Sequence, residues 1–367
     1  MNICFFNVTA GIHHGGLETY CWEVGRALAA CGHRVSIVAG EGGSPRHGEV
    51  RFVEFPFRGR SRFPALGTRF QKLMERASFA RNTLPHLLDA GYDVLIVNKP
   101  FDFPTLWLGR RRGMRAITVF RSGGTDFFPG DRFFSRAVDF WVSASFYNAR
   151  QIEERYKHPA RVIPNGVNTA VFAYRGPNPR LKMEWSLPSQ APIVMSCGRL
   201  VGWKGLKVII EAIAQIPPVH YGIIGDGPEK TRLQQLAQKL NLGDRVHFLG
   251  VITHDHLPEV LSLADIFVQP SIGEEAFGIS VVEAMACNLP ILASRNGGMV
   301  EIVVDRQTGL CLPPGDVFAW KEAIASLLNQ PQILKAMGMA GRKRVEAEFT
   351  WAANARKLEH LLLERKI

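Results

Sequence analysis

Short apolar runs alternate along this chain with stretches whose apolar residues recur every three or four positions, and the alternation occurs twice. In the first half, residues 3–8 read as a buried strand that meets a turn at Gly15-Gly16. Beyond it Leu17, Tyr20, Cys21, Val24, Leu28 and Cys31 share one helical face, closed by Gly32. Further strands are predicted at residues 35–39, 93–97, 115–120, 139–143 and 161–163. After Pro164-Asn165-Gly166 the pattern lapses. Residues 171–190 carry Pro177, Pro179 and Pro188 among few apolar positions and read as a linker. The second alternation has strands at 193–197, 220–224, 246–249, 266–268 and 291–293. Its helices span 206–215 and 229–240, with Leu206, Ile209, Ile210 and Ile213 on the inner face of the first. A last helix is predicted over 351–365.

The pattern predicts an α/β chain of two Rossmann-like, doubly wound domains facing across a cleft that takes the ligand. Residues 1–170 form the first, 191–350 the second, and the helix from residue 351 packs back on the first. A length of 367 residues agrees with two cores rather than one.

Composition narrows the class. Hydrophobic content of 46% with 21% charged residues is that of a soluble globular protein, and no apolar run approaches the ~18 residues needed to span a bilayer. Residues 1–6 enter a strand directly, without the basic start of a signal peptide, so a cytoplasmic location is expected. The six cysteines are scattered with no Cys-x-x-Cys pair, which favours buried thiols over ligands or disulfides. A net charge of +11 favours an acidic partner: phosphorylated substrate, anionic lipid or nucleic acid. No nucleic-acid motif accompanies the charge, so nucleic acid is not expected.

The chemistry gathers where strands of the second half end. Glu275 and Glu283 stand eight residues apart, the first in a loop and the second inside the helix that follows. Between them the free amides near Gly278 and Ile279 suit a phosphate. A carboxylate near a helix start can also simply oppose the macrodipole. Acid, anion cradle and acid in a row suit a nucleotide sugar, whose ribose, diphosphate and hexose follow one another, a polyol for each carboxylate and a phosphate for the middle. Upstream, Gly198-Arg199-Leu200-Val201-Gly202-Trp203-Lys204-Gly205 places two cations before a helix, a diphosphate clamp able to stabilise a departing nucleoside diphosphate. No Asp-x-Asp pair offers the usual ligands of a metal-dependent alternative, so no metal or cofactor is expected. Gly225-Asp226-Gly227-Pro228 and Gly250-Val251 end two more strands on the same edge. His254-Asp255-His256 has the spacing of a metal pair but reads instead as the exposed first turn of a helix over 257–264 capped by Thr253.

Taken together, these motifs resemble the retaining GT-B glycosyltransferases of family 4. Glu275 and Glu283 match the family's Glu-x7-Glu signature, and residues 198–205 its phosphate loop. Residues 225–228, 264–271 and 296–301 match flanking segments, as do 15–18 and 162–167 in the first half. The resemblance implies transfer of a hexosyl unit from a nucleotide-sugar donor to a glycan or glycolipid acceptor. Arg199 and Lys204 would hold the diphosphate, aided by the amides of Gly278 and Ile279 and by Gly15-Gly16. Glu283 would take the ribose and Glu275 the sugar, with Asp226, Val251 and Phe277 completing the donor site. Retention implies attack on the face from which the phosphate leaves, with the leaving phosphate accepting the acceptor's proton.

One segment departs from the family. Many members carry His-Gly-x-Asp after the strand matching 115–120, whereas here Arg121-Ser122-Gly123-Gly124-Thr125-Asp126 puts Gly123 where the His would stand. Asp126 is kept as a catalytic contact. Arg121 or Ser122 is the expected substitute toward sugar or acceptor, and His13 and His14 are further sources of an imidazole. Alternatives on the same fold are a nucleotide-sugar-binding protein without catalysis, an epimerase and a phosphorylase. Finally, residues 46–81 crowd Arg46, Arg51, Arg58, Arg60, Arg62, Arg69, Lys72, Arg76 and Arg81 among Phe52, Phe55, Phe57, Phe63 and Phe70. That segment reads either as a solvated face over a partly buried helix or as a surface that docks on an anionic membrane or a phosphorylated glycolipid.

Overall fold

Seven parallel strands and six parallel strands make two separate sheets in the computed structural model, which describes residues 1–12, 15–43, 48–124 and 126–364. The first unit is Met1–Asn165 with the last helix, Trp351–Leu363. Its strands are β1 (Asn2–Phe6), β2 (Arg34–Gly40), β3 (Arg51–Phe55), β4 (Val94–Val97), β5 (Ile117–Arg121), β6 (Phe140–Ser143) and β7 (Arg161–Val162). They lie in the order β3-β2-β1-β4-β5-β6-β7. Phe5 of β1 sits in register with Ile37 and Ile96 on either side. Residues 3–6 are buried on both faces, which is why the strand reads as an unbroken apolar run. The last helix packs on the helix Gly16–Ala30, where the Tyr20 and Trp351 rings meet edge-on at 6.2 Å and His33 bonds Glu359 at 2.9 Å. Arg365, at the end of the helix as predicted, lies outside the described residues.

The second unit is Gly166–Thr350. Its strands are β8 (Ile193–Cys197), β9 (His220–Ile224), β10 (Val246–Gly250), β11 (Ile266–Gln269), β12 (Ile291–Ser294) and β13 (Gly309–Leu312), ordered β10-β9-β8-β11-β12-β13. The chain winds outward one way from β8 and the other way from β11. The strand order therefore reverses between these two, and the carboxyl ends of a parallel sheet open a crevice at such a point. The helix Leu206–Ile213 buries Ile209, Ile210 and Ile213 completely, as its period predicts. Asn288, just past the helix Ile279–Ala286, takes φ +61° and closes it.

Four stretches differ from the sequence reading. β3 and β13 were not anticipated; both are edge strands. Residues 171–190 are no open linker, because they belong to the second unit. Phe172 is fully buried, Arg342 bonds the carbonyls of Thr169 and Phe172, and Pro179 starts the short helix Pro179–Glu184 capped by Asn178. The fourth is the helix after residue 253, which spans only Leu257–Leu261. Its N-cap is His256, and Thr253 contributes its backbone carbonyl rather than its hydroxyl.

Candidate functional site

The crevice between β8 and β11 is built by two loops locked together through their backbones. From β8 the chain runs through Gly198 and Arg199 into the turn Gly202–Lys204, then through Gly205 into the helix Leu206–Ile213. From β11 it runs through residues 270–275. The amides of Ile272 and Gly273 both donate to the Trp203 carbonyl, at 2.9 and 3.0 Å. Asn296 Nδ2 donates to the carbonyls of Ser271 and Gly273, and the Gly298 amide to that of Glu275. Gly205 makes the fit possible: its φ is +68°, and a Cβ there would stand 2.0 Å from the Pro270 carbonyl oxygen.

This frame brings Lys204 onto Glu275. Lys204 Nζ bonds Oε1 of Glu275 and lies 4.9 Å from the centre of the Trp203 ring. The same oxygen accepts from Gln269 Nε2 at 2.8 Å and Ser271 Oγ at 2.9 Å. Glu275 is only 9% exposed. A charge so buried costs several kcal/mol to desolvate, which three donors on one oxygen offset. Arg199 is exposed and makes no ion pair with the described residues, so its charge is open to an anion. A small cavity lined by Ser196, Cys197, Arg199, Lys204 and Gln269 joins the two cations at the strand ends. A larger open hollow, lined by Asn2, Arg51, His86 and Tyr92, sits at the amino end of the first sheet, opposite the strand ends that carry the motifs.

Gly278, at φ +115°, is the N-cap of the helix Ile279–Ala286. The amides of Val281 and Val282 turn back to its carbonyl, and those of Gly278, Ile279 and Ser280 precede these first bonds. Glu283 is the fifth residue of this helix and is 6% exposed. Burial first, and then the charge of Glu283, push the Cys197 thiol up to about 12. Among the described residues no group of three His, Cys, Asp or Glu side chains gathers as a metal ion would need.

Other expected donor contacts sit differently. Val251 is 71% exposed beyond β10. Asp226 accepts from its neighbour's amide at Gly227 and pairs with Lys230 at 3.6 Å, shaping its own turn. The Phe277 ring is buried against Phe349, 5.8 Å between centroids, so only its backbone can meet a ligand. In the first unit Gly15 is the extended N-cap of the helix Gly16–Ala30. Asp126 is clamped by Lys72 Nζ at 2.8 and 3.0 Å and by Lys99 Nζ at 3.5 Å. Burial works to raise its pKa, but the Lys72 hydrogen bond and the two ammonium charges outweigh it and hold the carboxyl below its ordinary range.

The substitutes proposed for the missing imidazole are corrected. Arg121 is 2% exposed; its guanidinium bonds Asn165 and lies 4.0 Å from the Tyr20 ring centre, inside the core. Ser122 is fully buried and bonds the backbone of Gly124. His13, His14 and Thr125 lie outside the described residues. A Cβ on Gly123 would stand 2.3 Å from Cδ2 of Leu17, so Leu17 fills the space a side chain at 123 would take.

His254 was missed. The sequence places it in an exposed first turn, yet its Nε2 bonds Glu283 Oε1 at 2.9 Å. Gln269 and Ser271, which the sequence places only in the flanking segment 264–271, hold Glu275. The His254 contact joins segments 29 residues apart, which no local pattern marks, while Gln269 and Ser271 lie six and four residues before Glu275, across a loop without helical or strand period.

Comparison with known proteins agrees with this geometry. The family model described as "Glycosyl transferases group 1" matches residues 178–344, and "Glycosyltransferase Family 4" matches 14–171. The chain is 30% identical to the GDP-mannose-dependent alpha-(1-6)-phosphatidylinositol monomannoside mannosyltransferase of Mycolicibacterium smegmatis, over 72% of this chain and 78% of that one. It is 31% identical to the lipopolysaccharide core biosynthesis glycosyltransferase LpsE of Rhizobium meliloti, over 53% and 55%. Among solved structures, sucrose-phosphate synthase from Thermosynechococcus elongatus superposes with a TM-score of 0.86 at 26% identity, covering 99% of both chains. With its two parallel sheets and these motifs, the chain belongs to the family 4 glycosyltransferases of the GT-B fold, enzymes that use nucleotide sugars.

Proposed function

We propose that this enzyme moves a hexosyl unit from a nucleoside diphosphate sugar to a glycolipid or surface-polysaccharide acceptor, with retention at the anomeric carbon and without a metal. The observation that carries the reading is the Lys204–Glu275 pair, held by Gln269 and Ser271 where the strand order reverses, with the unpaired Arg199 lining the same cavity. Glu275 offers its other oxygen to sugar hydroxyls. Arg199, Lys204 and the amides at Gly278 and Ile279 receive the diphosphate, Glu283 takes the ribose, and backbone near Val251 meets the base. As the bond from the anomeric carbon to the phosphate breaks, the acceptor oxygen bonds to that carbon from the same face. The acceptor's proton passes to the leaving phosphate oxygen. Such a step asks the protein for positioning and for charge stabilisation of the leaving group. Asp126, ionised between its lysines, is the polar contact assigned to the first unit.

The donor is tested by thermal unfolding with GDP-, UDP- and ADP-sugars. One nucleotide class is expected to raise the midpoint, since ligand at a hundred times its Kd adds about 2.7 kcal/mol. The GDP-mannose-dependent relative makes GDP-mannose the first candidate. No shift with any of them overturns the donor reading. Leu17 in the space beside Gly123 favours a second reading, a nucleotide-sugar binder without catalysis. Binding without turnover, tested across glycolipid acceptors, would select it.

A lipid-linked acceptor requires access to a membrane surface, and no helix among the described residues is long and apolar enough to cross one. The turn between β3 and the helix Thr68–Asp89, with the first turn of that helix, exposes Arg58, Arg62 and Arg69 around Leu66, which is 72% exposed, and residues 55–74 contain no acid; Arg60 is exposed too but pairs with Glu75 at 3.5 Å. Arg76 leaves this set because it is buried in an ion pair with Asp102, and Lys72 turns to Asp126; Arg46 lies outside the described residues. Each cation near an anionic leaflet is worth about 1 kcal/mol. The protein is expected to float with phosphatidylglycerol-containing vesicles, not with pure phosphatidylcholine, and to be released by salt. Equal partitioning to both vesicles discards this contact.

A further inference from the structure

Glu283 has one oxygen already engaged, and what engages it bears on how the enzyme recognises its donor. We propose that His254 is the positioning residue for the ribose carboxylate: by donating through Nε2 to Oε1 of Glu283, it fixes the carboxylate plane and leaves Oε2 for the vicinal hydroxyls of the ribose. The inference rests on the assignment of Glu283 to the ribose.

A carboxylate can only accept, so the imidazole must be the donor in this 2.9 Å bond. A glutamate side chain has three rotatable bonds. Free in a crevice it would lose that freedom each time a ligand bound. Burial already limits Glu283, whose side chain is 8% exposed, and the imidazole supplies the remaining constraint. His254 is itself held. Phe172, fully buried, meets its ring edge-on with centroids 4.7 Å apart. Arg342 bonds the carbonyl of Phe172 and that of Ala286, the last residue of the helix that carries Glu283. One guanidinium therefore ties the support of the imidazole to the helix of its partner. At 29% side-chain exposure, His254 lies close enough to solvent for the pair to border a ligand. Such a supported contact holds a binding group in its productive geometry before the ligand arrives.

A purely structural pair would affect all ligands alike, so the test removes the ribose hydroxyls as well as the imidazole. UDP or GDP, whichever binds, is titrated calorimetrically beside its 2′-deoxy and 3′-deoxy forms. The unaltered enzyme is expected to prefer the ribonucleotide by about tenfold, the size of one charge-assisted hydrogen bond. His254→Ala should weaken the ribonucleotide by about that factor, leave the deoxynucleotides unchanged and so erase the preference. His254→Gln, which keeps a side-chain N–H donor, should recover much of it. Should His254→Ala fail to fold, as thermal unfolding would reveal, His254→Gln is compared with His254→Leu. An intact preference in His254→Ala, or equal weakening of ribo- and deoxynucleotides, overturns the proposal. Glu283→Ala separates the two levels. If it keeps the preference, the ribose reading of Glu283 falls and this inference with it; if it loses the preference while His254→Ala keeps it, only His254 is wrongly assigned.

Discussion

Lys204→Ala is expected to lower the rate of sugar transfer by about 10²–10³-fold, with a much smaller change in KM for the donor. Two effects act together. The ammonium lines the cavity at the end of β8 beside Arg199, where charge accumulates on a departing diphosphate. A cation about 4 Å from such a charge is worth ~4 kcal/mol at an effective dielectric of 20. Loss of one preorganised donor to a developing anion costs a comparable amount. The substitution also removes the cation from Glu275, leaving a nearly buried carboxylate on Gln269 and Ser271 alone. Breaking a buried pair by removing one partner is destabilising by up to ~3–5 kcal/mol, so kinetics must be compared well below each variant's midpoint. Lys204→Arg keeps the charge but spreads it over a planar fork, and should recover only part of the rate. Glu275→Gln gives the complementary measurement, because the amide keeps the shape and an acceptor but not the charge that holds Lys204. A rate within fivefold of the parent for Lys204→Ala would remove this residue from leaving-group stabilisation.

Central strands and edge strands were not equally legible in the sequence. β1, β4 and β8 are flanked on both sides and buried on both faces, so their apolar runs stand out. β3 alternates charged and aromatic residues at Arg51, Phe52, Glu54 and Phe55, with only β2 beside it, and its arginine content drew attention to a surface instead. β13 is four residues long and starts at a glycine. The second unit's carboxylates and cations were legible because loop-to-helix spacing is a local property. Their partners were not. His254 meets Glu283 across 29 residues and Lys204 meets Glu275 across 71, and those distances are set by the order of strands rather than by local periodicity. The same holds for Arg76, which counts as a surface charge in sequence but pairs with Asp102 26 residues away, in the core. Gly123 shows the limit from the other side. Its departure from the family pattern is visible in sequence, but the side chain that occupies the space, Leu17, is visible only in three dimensions.

Gly205→Ala is expected to lower the unfolding midpoint by about 5–10 °C and to cut transfer sharply even where the protein is folded. The argument is one of space. At φ +68° an L-residue pays roughly 1–2 kcal/mol for its left-handed backbone. The added methyl would also stand 2.0 Å from the Pro270 carbonyl oxygen, a backbone atom that cannot swing aside as a side chain can. The loop that begins at Pro270 is fixed to Trp203 by the Ile272 and Gly273 amides. Relief of the clash must therefore move Ser271 and Glu275 away from Lys204. A total cost near 2–4 kcal/mol corresponds to such a midpoint shift for a domain of this size. Gly202→Ala, three residues earlier, is the control: a Cβ there meets nothing within 4 Å, and both stability and rate should stay near the parent's. A chain that tolerated alanine equally at 202 and 205 would show that the two loops are not locked together. The cations of one and the carboxylate of the other would then have to be brought into register by the ligand.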